Sequence, residues 1–407
     1  MPLPRRALLG AGLAAATALV GGCGDGPDGR SGSGGPSATT TPPSPPAPGP
    51  SATPGPVLSA GPTPVGLTDR LTAALRRYLS PTPDNPRHPW FAGAVVLVSV
   101  GGVTRVHTAV GDALRYDAGP VELPPSRRVP MRPDSIFDLA SLTKVYVAIL
   151  AMQQVERGRI ALDEPVVEVL PGFDGPGKAA VTVNMLLTHT SGLPVGASVA
   201  GGSTLAEKRA AVLATPLVAA AVPGTTFRYS SVGLMVLAQL VEQVTGLALD
   251  QALRSGVTGP LGLADTGFSP LRWLDATARA SRLVATDARS SRGLLRGVVH
   301  DSVANQLGGI AGHAGIFGTA ADVAVIGQAL LNGGVYGGTR ILAGSTVGQM
   351  LANANRGLPA IDPDRPGRPS DHGLGVVLNQ PWFMGRLATP GTFGHTGFTG
   401  TSLLVDP

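Results

Sequence analysis

Lysine and cysteine are almost missing from this 407-residue chain. Of its 31 basic residues only Lys144, Lys178 and Lys208 are lysines, and Cys23 is the single cysteine. One cysteine excludes an internal disulfide and any cysteine-based zinc site. Charged residues reach only 14% and aromatics 4%. The arginines behind the net charge of +5 are scattered (Arg76, Arg105, Arg209, Arg254, Arg279, Arg340). No basic stripe with interleaved aromatics forms, so no nucleic-acid partner is expected. The G-x-S-x-G elbow, H-E-x-x-H and P-loop patterns are absent, which removes the chemistries they carry. What is present is 43% apolar residues, enough for a sizeable core.

The first residues run through Arg5-Arg6, an apolar stretch from Ala7 to Val20, and then Gly21-Gly22-Cys23. This is a charged start, a short apolar run and a small-residue cleavage site, shorter than the about 20 residues a membrane span needs. Val20-Gly21-Gly22-Cys23 resembles a bacterial lipobox, whose cysteine is diacylated, and Arg5-Arg6 looks like a weak twin-arginine signal. An ordinary signal peptide or an uncleaved anchor is the alternative. Each version exports the domain, and the expectation is a signal peptide over 1–22 and a lipid-anchored, extracytoplasmic protein. Residues 23–66 are almost all Gly, Pro, Ser, Thr and Ala, too poor in large apolar side chains to offset their ordering entropy. They read as a disordered tether with a coil reach of roughly 35 Å.

The remainder, 67–407, reads as one domain. Thr68 to Leu79 places Leu71, Leu75 and Leu79 on one helical face behind a Thr68 cap. Ala92 to Val100 and Val103 to Val110 are β-prone runs joined by Gly101-Gly102, a hairpin signal. Ser141 to Arg157 has helical spacing and stops at Gly158; Ser230 to Thr245 puts Val232, Val236, Leu240 and Val244 on one stripe and stops at Gly246. Thr319 with Asp322 has the spacing of a capping box before Leu331. Phe393 to Val405 ends in a β-prone run. Helix, hairpin, long helical section and strand predict an α+β fold with the helical part inserted between sheet strands.

Ser141-Leu142-Thr143-Lys144 puts a serine and a lysine one turn apart at a helix start, on one face. A serine hydroxyl needs a neighbouring base, and a lysine serves only if it gives up its proton, which a helix N-terminus and burial both favour. A lysine in a chain that otherwise uses arginine fits, because arginine keeps its proton. A capping serine with a solvated lysine would give the same pattern. Tyr229 lies where a phenol could relay protons, or it is a partly buried tyrosine with a satisfied hydroxyl. His395-Thr396-Gly397 opens the last β-prone run, and glycines 394, 397 and 400 would let a substrate backbone lie close while His395 and Thr396 meet its carboxylate.

These elements, in this order, resemble the Ser-x-x-Lys, Tyr-x-Asn and Lys/His-Thr-Gly signature of the serine β-lactamase and penicillin-binding superfamily. The strings Phe137 to Lys144, Leu186 to Pro194, Pro260 to Leu263 and Gly308 to Gly315 resemble its class C-like branch. The resemblance implies a β-lactamase/transpeptidase-like antiparallel sheet flanked by helices. It implies Ser141 as nucleophile, Lys144 as base, Tyr229 as base or relay, and the N–H groups of Ser141 and Phe398 as oxyanion hole, with His395, Thr396 and Gly397 on the substrate. Ser231 stands where the family usually has asparagine, so its contact with Lys144 or a substrate amide is expected to be weaker. His189 and His313 are read as structural. No cofactor and no metal are implied, and a monomer is expected. The substrate is a peptidoglycan-type D-aminoacyl peptide, a small ester or a β-lactam. A non-catalytic penicillin-binding or sensor lipoprotein is the alternative from another class.

Pro407 comes ten residues after Gly397, whereas the family continues with two strands and a helix. The expectation is therefore an incomplete copy in which the His395 strand lacks an inner neighbour, and which folds poorly and turns over little substrate.

Overall fold

The computed structural model describes residues 56–362 and 367–407. The signal segment, the lipobox with Cys23 and most of the tether lie outside the described residues.

The described chain begins with β1 (Ser59–Ala60), which pairs in parallel with β3 (Val103–Leu114). The expected tether thus overlaps a strand at its C-terminal end. The attachment runs through backbone groups, as in Ser59 N–H to the Gly102 carbonyl at 3.0 Å, which composition does not reveal. α1 (Leu67–Arg76) follows, but Gly66 at φ 70° caps it and Thr68 lies inside its first turn. β2 (Gly93–Val100) and β3 form the expected hairpin; both turn glycines have positive φ, 59° and 78°, as a two-residue hairpin turn requires. β4 (Val129–Pro130) pairs with β3 further along. The parallel β1 makes this sheet mixed rather than purely antiparallel.

β5 (Phe137–Asp138) leads into a 3-10 turn over Ala140–Leu142 and then α2 (Thr143–Glu156). α3 (Leu205–Ala214) opens with a full capping box between Thr204 and Glu207. α4 (Ser231–Thr245) is capped by the Ser230 hydroxyl, which accepts from the Gly233 amide, and stops at Gly246 with φ 68°. α2 and α4 pack against each other as the centre of the main core. Both are buried on nearly every side rather than along one stripe: Gly233, Leu234, Met235, Leu237 and Ala238 are buried together with Val232 and Val236. Single-face periodicity fades for this reason in a helix with neighbours all round.

β6 (Gly267–Phe268), α5 (Ser302–Gln306) and β7 (Ile316–Gly318) come next, and β7 pairs between β5 and β6. α6 (Ala320–Leu331) keeps only half of its expected box. Thr319 accepts the Asp322 amide at 3.1 Å, but the Asp322 carboxylate turns away to accept the Thr266 hydroxyl at 2.8 Å. Last come β8 (Val377–Leu378), β9 (Phe393–Thr396) and β10 (Ser402–Val405), in a sheet ordered β8–β9–β10.

His395 and Thr396 therefore end a strand instead of starting one. The strand also has neighbours on both sides: His395 pairs with Leu403 and Thr396 with Ser402, while Gly394 pairs with Val377. The expected unpaired inner edge is corrected by the tight turn over 397–401, where Gly397 N–H donates to the Thr401 carbonyl at 2.7 Å and Gly400 adopts φ 92°. α6 packs against both β2 and β10, and Gly327 on α6 admits the Leu403 and Val405 side chains.

Candidate active site

The 3-10 turn ahead of α2 delivers Ser141 to a partly open position and Lys144 to a buried one, 1% exposed. One helical turn separates them, and Lys144 Nζ lies 3.0 Å from Ser141 Oγ. The second partner of Nζ is the backbone carbonyl of His313, also at 3.0 Å. A solvated lysine behind a capping serine is thereby excluded. Ser141 is not a side-chain cap, and the ammonium stem is enclosed.

Tyr229 comes to the same place from the turn before α4. Its ring centroid is 5.0 Å from Lys144 Nζ, and it packs against His189 at 4.7 Å and His395 at 6.3 Å. Among the described residues no hydrogen bond occupies its hydroxyl, which leaves that group available to a reacting molecule. Ser231 does not reach Lys144: its N–H donates to the Val195 carbonyl at 3.2 Å, and no bond joins the two side chains.

His395 is buried, not presented to solvent. Its Nδ1 lies 2.8 Å from the Thr396 carbonyl, and its Nε2 is buried without a partner. Burial, then the Lys144 charge, pushes its imidazole down to about 3, so it is neutral at pH 7. It offers a substrate carboxylate no positive charge at that pH. Thr396 and Gly397 are partly exposed and Phe398 is open, its ring 5.3 Å from His300. Gly397 is needed for a reason other than the expected one. A Cβ there would strike the Leu139 carbonyl and approach the Ala140 Cβ, so the glycine lets this turn pass the turn that carries Ser141. Gly394 likewise faces the Leu403 carbonyl of β10.

Several residues of the site carried no assigned role in the sequence. Asp138 is buried, and its carboxylate accepts the amides of Ala140 at 2.9 Å and His300 at 2.7 Å. Burial pushes its carboxyl up, against those two bonds. Thr399 and Thr401 donate their hydroxyls to the carbonyls of Asp138 and Leu139, at 2.6 and 3.1 Å. His189 accepts the Ser230 amide at 3.1 Å, and His372 packs edge-on against it at 4.9 Å. Asp138, His189 and His313 lay inside strings whose resemblance was visible, but nothing local marked His372.

Residues 75–407 match the family described as Beta-lactamase. A protein of Escherichia coli K12 described as "Putative D-alanyl-D-alanine carboxypeptidase" is 33% identical over 331 residues, covering 74% of this chain and 72% of that protein. Among solved structures, a family VIII carboxylesterase shares the fold with TM-score 0.60 at 22% identity, over 85% of this chain and 89% of that one. EstCE1, a hydrolase with promiscuous acyltransferase activity, aligns with TM-score 0.56 at 25% identity, over 84% and 89%.

Proposed function

The chain belongs to the Beta-lactamase family, as a class C-like serine hydrolase, and from that premise we propose that it cleaves D-aminoacyl peptides of the peptidoglycan type through an acyl-enzyme on Ser141. The observation that carries this reading is the 3.0 Å contact between the buried Lys144 Nζ and the partly exposed Ser141 Oγ. Ser141 Oγ attacks the carbonyl carbon while its proton passes to Lys144, with Tyr229 as the relay. The N–H groups of Ser141 and Phe398 hold the developing oxyanion. As the C–N bond breaks, the proton moves to the leaving amine. Water then attacks the ester carbonyl, its hydroxyl going to the released acid and its other proton passing through the base to Ser141 Oγ as the C–O bond breaks.

The relative named for carboxypeptidase activity supports a peptide over an ester, and the esterase and acyltransferase neighbours support small esters as a second substrate class. Thr396 and Gly397 line the substrate side. An activated-serine probe such as a fluorophosphonate is expected to label wild type and not Ser141→Ala. Lys144→Ala should slow labelling by about 10²-fold or more, the usual cost of losing a general base. Undiminished labelling of folded Ser141→Ala would remove the assignment, and a panel of D-Ala-D-Ala peptide, p-nitrophenyl ester and cephalosporin sorts the substrates.

We also propose that Cys23 is acylated and tethers the domain outside the membrane, as the lipobox-like Val20-Gly21-Gly22-Cys23 suggests. Cys23→Ala should then appear in the medium or as uncleaved precursor. An unchanged membrane fraction would count against lipidation.

A further inference from the structure

We propose that Asp301 and His313 are positioning residues for Lys144: their buried pair fixes the backbone carbonyl that holds the lysine amine against Ser141. The inference rests on the reading above, in which Lys144 takes the Ser141 proton.

His313 faces two ways. Its carbonyl accepts from Lys144 Nζ at 3.0 Å, while its ring Nε2 meets Asp301 Oδ1 at 2.9 Å. The same Asp301 oxygen accepts the Ala304 amide at 2.8 Å and so caps α5. A continuous line therefore runs from the start of α5 through Asp301 and His313 to Lys144 and Ser141.

The segment in between needs such a pin. Gly308, Gly309 and Gly315 all adopt positive φ, so the backbone of this loop has little intrinsic preference for one path. Gly312 seats the loop against α4, where a Cβ would overlap the Leu234 carbonyl. The imidazole–carboxylate bond fixes the next residue, the one whose carbonyl counts. The ring is wholly buried, and burial pushes it below its ordinary value even with Asp301 beside it, so it is a neutral donor to an ionised carboxylate. Burial raises the Asp301 carboxyl, but the hydrogen bonds from the His313 ring and the Ala304 amide hold it well below the usual range. Asp138 also faces Asp301, and Lys144 itself faces His189, His395 and the Tyr229 ring.

The chemistry explains why a fixed acceptor matters. A neutral amine has two N–H groups and one lone pair. With one N–H held by the His313 carbonyl, the lone pair of the neutral amine can face the hydroxyl it must deprotonate. Ser231 supplies no amide oxygen for this purpose, and among the described residues Lys144 has hydrogen bonds only to Ser141 and His313.

The test compares wild type, Asp301→Asn and His313→Ala as full chains, by two measurements. Asparagine keeps the α5 cap, so Asp301→Asn remains informative if His313→Ala folds poorly. The first measurement is the pH profile of Ser141 acylation by p-nitrophenyl acetate. His313→Ala should acylate at least about tenfold more slowly, the low end of what mispositioning a catalytic group costs, with KM little changed. Asp301→Asn, whose amide oxygen still accepts from His313 but without the charge, should lose less than His313→Ala and more than about twofold. For Asp301→Asn the acid limb should also move to lower pH, because a carboxylate that favours the protonated base is gone. The second is the 13Cε NMR signal of biosynthetically labelled lysine, simple here because the chain has only three lysines. The Lys144 signal should shift while those of Lys178 and Lys208 stay. Acylation within twofold of wild type with an unmoved limb and an unmoved Lys144 signal would overturn the inference. A wild type that never acylates Ser141 would remove the hydrolase reading instead, and the Lys144 signal alone would then decide whether the pair positions it.

Discussion

The carboxylate of Asp138 accepts the amide of Ala140 at 2.9 Å, and Ala140 is held at φ 46°, one residue before Ser141. Left-handed backbone costs a residue with a Cβ about 1–2 kcal/mol. The turn that presents the proposed nucleophile is thus strained, and its neighbours keep it in place. Asp138 also accepts the His300 amide, and the hydroxyls of Thr399 and Thr401 secure the two carbonyls that precede Ala140.

Asp138→Asn should therefore destabilise the fold and slow Ser141 acylation together. An amide NH2 replaces one acceptor and faces a backbone N–H, leaving a buried donor unsatisfied at about 1–3 kcal/mol. Chemical denaturation and fluorophosphonate labelling check the two effects, and a variant with wild-type stability would show that the turn does not depend on this carboxylate.

Tyr229→Phe separates chemistry from packing. The ring keeps its contacts with His189 and Lys144, so stability should stay within about 0.5 kcal/mol. Acylation should fall by about 10²-fold or more if the hydroxyl relays a proton. A normal acylation rate would assign Tyr229 to packing alone.

Gly397→Ala tests a steric requirement. The added Cβ strikes the Leu139 carbonyl and crowds Ala140, and overpacking of this kind costs about 1–3 kcal/mol. Thermal unfolding should report a clear loss, accompanied by weaker labelling because the displaced segment carries Ser141. Unchanged unfolding would mean that the two turns part without cost.

Acid should unfold this protein through its buried histidines. Burial and the Lys144 charge bring His395 down to about 3, and burial with Arg368 brings His372 down to about 4. Unfolded, both take up a proton near their ordinary 6.5. Their stabilising contribution is complete above that pH and is lost as pH falls toward 4 and 3, at about 1 kcal/mol per pH unit for each ring. Urea titrations between pH 7 and 4.5 should show this slope, and His395→Gln should flatten it by about one ring's share. An equal slope in that variant would place the acid sensitivity elsewhere.

The sequence by itself determined what depends on near neighbours. Gly101-Gly102 specified the hairpin, Ser230 and Gly246 bounded a helix, and Ser141 with Lys144 shared one helical face because 3.6 residues make a turn. The family signature was likewise legible in short strings. Tertiary structure decided what depends on residues far apart in the chain. It brought the His313 carbonyl, 169 positions away, onto Lys144, and it buried His395 where the local pattern suggested exposure. It also gave Gly397 a steric reason on the opposite side of the site and turned the Asp322 carboxylate to Thr266 instead of its own helix start. A backbone carbonyl exists at every residue, so no side-chain pattern can announce which one will meet the lysine; only packing of the loop against α4 and α5 selects it.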